Sequence, residues 1–80
     1  MNTLTAIKNR ILKLCGERNI TINKLATISA LPPSSLKAIL YGRSQNPKII
    51  TIKIICDGLG ITLAEFFNTD EFNNLEPEIK

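Results

Sequence analysis

Histidine and tryptophan are absent from this chain of 80 residues, and cysteine occurs only twice. Without histidine the commonest general base and metal ligand is missing. Cys15 and Cys56 form no CxxC pair, and a zinc site needs about four ligands of this kind, so no metal or cofactor is expected. The two thiols can pair once as a disulfide or stay reduced and buried as small apolar residues; we read them as reduced, as in the cytoplasm. The four glycines are scattered, which leaves no phosphate-cradling loop. The acids form no catalytic pair: Asp57 reads as a surface charge and Glu65 as a cap. An enzyme is therefore not expected. No run approaches the ~18 apolar residues of a membrane span. The opening MNTLTAIKNRILKLC alternates polar and apolar residues, unlike a secretory signal. These absences predict an unexported, cytoplasmic protein with no membrane partner.

What is present is a hydrophobic content of 44%, enough for one small core and little else. The net charge of +3 is unevenly spread. Residues 1–68 carry nine lysines and arginines against Glu17, Asp57 and Glu65, whereas residues 69–80 carry Asp70, Glu71, Glu76 and Glu78 against Lys80. The expected organisation is one basic domain over 1–68 and an acidic C-terminal tail over 69–80, frayed or loosely packed. A basic body suits a polyanion, although solvated faces of many small proteins carry similar charge.

Apolar spacing predicts five short helices. Ile7, Ile11, Leu14 and Cys15 mark one face of a first helix over about 5–18, with Arg10, Lys13 and, further on, Lys53 left as solvated surface. Thr21 reads as an N-cap for a short helix from Ile22 to about Ile28, with Leu25, Ala26 and Ile28 inward. Ser29-Ala30-Leu31 reads as a turn. Pro32 at the cap and Pro33 at the first position open a third helix, which runs to Tyr41 with Leu36, Ile39 and Leu40 inward. Gly42 ends it in the left-handed conformation. Ile49, Ile52, Ile55, Cys56 and Leu59 form a fourth helical stripe; the β-branched run 49–55 also fits a strand, but Lys53 and Asp57 share an exposed helical face. Thr62 and Glu65 make a capping box for a fifth helix through Phe67.

Two short helices joined by a tight turn, followed by glycine and a basic loop, match a helix-turn-helix (HTH), whose second helix enters the major groove. An ordinary helical bundle has the same pattern. The residues that separate the two are Leu25-Ala26, Leu36, Ile39, Gly42, Asn46-Pro47, Thr51, Ile55, Leu59-Gly60-Ile61-Thr62 and Phe66. They fall where the Cro/CI-type (XRE) family of transcriptional regulators places its core and turn residues, and over about Ile7 to Phe67 the chain resembles that family. The resemblance implies an all-α, compact five-helix, lambda-repressor-like domain that binds double-stranded DNA as a regulator, of the prophage or mobile-element repressor kind, with no small-molecule effector. The alternative is the same fold used as an antitoxin or docking module that does not read DNA.

The resemblance also assigns residues. Pro33, Ser34, Lys37 and Ala38 fall on the base-reading face, with Ser35 beside them; Ser34 and Ser35 equally favour a helix start. Lys37 suits guanine or a phosphate, and Pro33 and Ala38 suit thymine methyl groups. Arg43, Ser44, Gln45 and Asn46 fall where members bind the sugar-phosphate backbone, and Lys48 near the minor groove. Ile22 replaces a common glutamine, leaving a backbone N–H for a phosphate; Asn23 and Lys24 flank it. Tyr41 either stacks on the DNA backbone or shields the core. Cys15 and Leu40 stand where many members carry a buried Arg–Glu pair. Losing one partner costs about 3–5 kcal/mol and losing both is close to neutral, so the joint replacement predicts that the two touch. Members often bind as dimers, and Leu63, Phe66, Phe67, Phe72 and Leu75 are the expected dimer patch, unless they close the monomer core.

Overall fold

The computed structural model describes residues 1–79. Six helices follow one another: α1 (Thr3–Glu17), α2 (Ile22–Ile28), α3 (Pro33–Leu40), α4 (Ile49–Leu59), α5 (Leu63–Phe67) and α6 (Asp70–Asn73). There is no strand among the described residues. The β-branched run at 49–55 is helical, as the exposed Lys53–Asp57 pair one turn apart requires.

Capping chemistry sets most boundaries. Asn2 accepts from the Thr5 N–H at 2.8 Å, so α1 starts at Thr3, two residues before the expected start. Thr21 accepts from the Lys24 N–H at 3.0 Å. Thr62 and Glu65 close their capping box at 3.0 and 3.1 Å. Pro32 and Pro33 open α3 as expected, and Gly42 follows it with φ +81°.

One cluster forms the core. Ile7, Ile11, Leu14 and Cys15 of α1 meet Leu25 and Ala26 of α2, Leu36, Ile39 and Leu40 of α3, Ile52, Ile55, Cys56 and Leu59 of α4, and Phe66 of α5. Cys15 and Leu40 thus share the core, both apolar. The two thiols are free. Burial pushes both above the ordinary thiol range, with Arg18 pulling Cys15 partly back and Lys53 doing so for Cys56.

Four expectations are corrected. Ile28 is 41% exposed while Ser29 is buried: the inward arc of α2 is Leu25, Ala26 and Ser29, and Ile28 lies on its flank. Ile49 is 54% exposed, because the first turn of α4 projects past the core. Arg10 is not solvated surface: its Nε donates to the Phe66 carbonyl at 2.8 Å and its Nη2 to the Glu65 carbonyl at 3.0 Å, with the guanidinium 6.0 Å from the Phe66 ring centre. Finally, residues 69–79 do not hang free. Thr69 caps α6 by accepting from the Phe72 N–H at 3.4 Å, Asp70 and Glu71 occupy its first turn, where acids suit the helix dipole, and α6 packs on α1.

Two turns carry non-glycine residues in the left-handed region, Asn19 and Ala30, both at φ +53°. Asparagine tolerates this conformation; alanine meets a steric cost of about 1–2 kcal/mol. Ala30 is the middle of the turn between α2 and α3.

Candidate nucleic-acid interface

The α2–turn–α3 unit is a helix-turn-helix held by backbone hydrogen bonds. The Leu31 N–H donates to the Ala26 carbonyl at 2.9 Å and the Ala30 N–H to the Thr27 carbonyl at 3.2 Å. With Leu36, Ile39 and Leu40 committed to the core, the other side of α3 faces outward. Pro33, Ser34 and Ser35 are exposed on its first turn, and Lys37 and Ala38 are half-buried one turn on. Tyr41 is 69% exposed and therefore does not shield the core. At the start of α2, Ile22 is half-buried against the core, and Asn23 and Lys24 are exposed.

The α3–α4 loop continues this surface. Arg43, Gln45, Asn46 and Lys48 are exposed and Ser44 half-buried. The loop is tied back on α3: the Ser44 N–H donates to the Ala38 carbonyl at 2.8 Å, and the Gln45 side-chain amide donates to the Gly42 carbonyl. The geometry adds one feature that residue-type reasoning missed. Lys48 is the N-cap of α4 and makes no side-chain cap bond, and no acid stands in the first turn. The leading N–H groups of α4 are thus free for an anion, next to a cation. The signal was in the sequence: Pro47-Lys48 before an isoleucine pair offers no Ser, Thr, Asp or Asn to cap with.

The residues expected at a dimer patch divide. Leu63, Phe67, Phe72 and Leu75 are half-buried, with Phe67 and Phe72 edge-to-face at 4.9 Å. Phe66 is fully buried and has nothing to offer a partner. Phe67 stands 4.9 Å and Phe72 6.1 Å from its ring centre, and Arg10 covers another side.

Among the described residues no group of three or more His, Cys, Asp or Glu is placed to hold a metal ion, and no helix is long and apolar enough to cross a membrane. The fold and its exposed α3 define the class of helix-turn-helix domains. Within that class, the Cro/C1-type HTH DNA-binding domain matches residues 10–71, and the chain belongs to that family. Its fold is similar to that in the crystal structure of the prophage Lp1 protein 11, with a TM-score of 0.81 and 34% identity over 94% of this chain and 100% of that one. Comparison with curated protein sequences finds no match.

Proposed function

We propose that this protein is a sequence-specific, double-stranded DNA-binding transcriptional regulator, a repressor of the prophage or mobile-element kind. The observation that carries the reading is the continuous exposed surface made by the outer face of α3 and the tethered loop from Arg43 to Lys48, on a Cro/C1-type domain. In this reading α3 enters the major groove, where Ser34 and Lys37 reach base edges and Pro33 and Ala38 meet thymine methyl groups, with Ser35 at its edge. Arg43, Ser44, Gln45, Asn46, Lys48 and the open start of α4 hold one phosphate strand, and Ile22 and Asn23 approach the other through the start of α2. Tyr41 lies along the sugar-phosphate edge.

The face of α3 has few bidentate side chains, so affinity rests mainly on the loop. Fluorescence anisotropy across a salt series tests this. Arg43→Ala should weaken binding to all duplexes about three- to tenfold and lower the salt slope by about one. Ser34→Ala or Lys37→Ala should instead change the preferred sequence selected from random DNA. Equal losses on every duplex from all three would show that α3 reads no bases. Absence of binding even at low salt would favour a protein-docking or antitoxin role.

A single small reading helix gives limited specificity, so two copies act together in this reading, with half-sites about 34 Å apart. Leu63, Phe67, Phe72 and Leu75 supply the contact. Sedimentation at micromolar concentration should show a dimer that Phe67→Asp dissociates; a wild-type monomer even on operator DNA would remove this part of the proposal.

A further inference from the structure

The acidic segment 76–78 has a defined place. The Glu76 N–H donates to the Met1 carbonyl at 3.2 Å, and the Thr3 hydroxyl donates to Glu78 Oε2 at 2.8 Å. Both contacts hold the segment along the first turn of α1. Glu76, Pro77 and Glu78 there line an open cleft of about 950 Å³ together with Gln45, Asn46 and Pro47 of the α3–α4 loop. Negative charge therefore stands beside the loop that a phosphate strand would meet.

One of the two charges stays unpaired. Glu78 is held by a hydroxyl, which leaves its charge intact. Among the described residues the ion pairs are the Met1 ammonium with Glu76 at 3.4 Å and Lys53 with Asp57; Arg43 and Lys48 form none. The unpaired Glu78 carboxylate lines the same cleft as the loop, and a carboxylate there raises the free energy of a phosphate that comes within about a Debye length, ~8 Å at physiological salt.

We propose that the 76–78 segment is an intramolecular electrostatic strap that weakens the hold of the α3–α4 loop on DNA phosphates. The inference rests on the DNA-binding reading above. Its consequence is a binding threshold. Repulsion falls equally on every sequence and leaves the ratio of affinities unchanged, but it lowers every affinity, so at a given concentration a duplex offering only phosphates is released while one that also satisfies α3 stays bound. The strap offsets the strong loop.

The test uses the full chain and a labelled mixed-sequence duplex at low and high salt. Glu76→Gln combined with Glu78→Gln should tighten binding about three- to tenfold at low salt, and the gain should vanish near 0.5 M salt, where screening is nearly complete at about 4 Å. Thr3→Val, which frees Glu78 without changing any charge, should give part of the gain. Asp70→Asn with Glu71→Gln makes the same change of charge on α6, away from the cleft, and should shift affinity less than about twofold. Equal gains from the two double variants would overturn the strap, since net charge alone would then explain them. So would wild-type binding that the Glu76/Glu78 variant leaves unchanged, an outcome that spares the DNA reading. Failure of the wild type to bind at any salt would bring down the DNA reading and the strap together.

Discussion

Gly58→Val should destabilise the domain by about 3 kcal/mol, read as a lower midpoint in urea. A Cβ placed on Gly58 would stand 2.2 Å from Ser29 Oγ and 3.1 Å from both Ser29 Cα and Cβ. The hydroxyl can rotate away, but Ser29 Cα is backbone and Ser29 is 6% exposed, so α2 and α4 must separate. Separation opens the contact that sets α2, and with it α3, against the core. The Ser29 hydroxyl has no hydrogen-bond partner, so Ser29→Ala alone should be near neutral or stabilising. Ser29→Gly introduced with Gly58→Val should recover part of the loss, which identifies the close approach as the cause. Gly16 is the control. It is helical and exposed, and a Cβ added there would meet nothing within 4 Å, so Gly16→Ala should stabilise by about 0.5–1 kcal/mol. Equal effects at both glycines would refute the packing argument.

Arg10→Met should cost about 2–4 kcal/mol, combining hydrogen bonds from a charged donor at about 1.5–3 kcal/mol with a cation–π contact of about 0.5–1 kcal/mol. For a domain of this size, that lowers the melting temperature by roughly 10–30 °C. Methionine keeps most of the stem's packing and removes the donors. The Phe66 carbonyl at the end of α5 is then left without a partner, over the ring that closes the core, and the Glu65 carbonyl keeps only the Asn68 N–H at 3.4 Å. Arg10→Lys keeps the charge but lacks the planar fork that meets two carbonyls at once, so it should restore only part of the loss. A change under about 3 °C for Arg10→Met would mean that the clamp adds nothing to stability.

These two sites mark the limit of what the chain's linear order discloses. Boundaries written in local chemistry were legible: Thr21, Pro32-Pro33, Gly42 and the Thr62–Glu65 box each act within one turn of the residue that signals them. The core faces of α3 and most of α4 followed from 3.6-residue spacing. Arg10 lies 55 and 56 positions from its acceptors, and a surface-facing position on α1 carries no hint that α5 ends above it. Ser29 and Gly58 are two small residues whose importance exists only once α2 and α4 are packed. The α6 helix had a local signal, Thr69 followed by two acids, but its brevity and acidity read as tail. On the candidate interface, the outer face of α3 and the loop were assigned by residue type and resemblance. The uncapped start of α4 and the cleft that places Glu76 and Glu78 beside the loop depend on the chain's path.

The left-handed alanine in the turn before α3 has a mechanical consequence. The eight residues of α3 span about 12 Å, so the helix acts as a lever pivoted near Ala30. A swing of about ten degrees moves its far end by roughly 2 Å, several times the ~0.5 Å working range of a hydrogen bond. Glycine at the pivot would visit many backbone states. Alanine has few, and the packed helices hold it in one of the least comfortable. The aim of α3 is thus set by a joint with little play, and in the proposed DNA-binding reading a stiff joint is what a helix with so few bidentate side chains needs to present them in register.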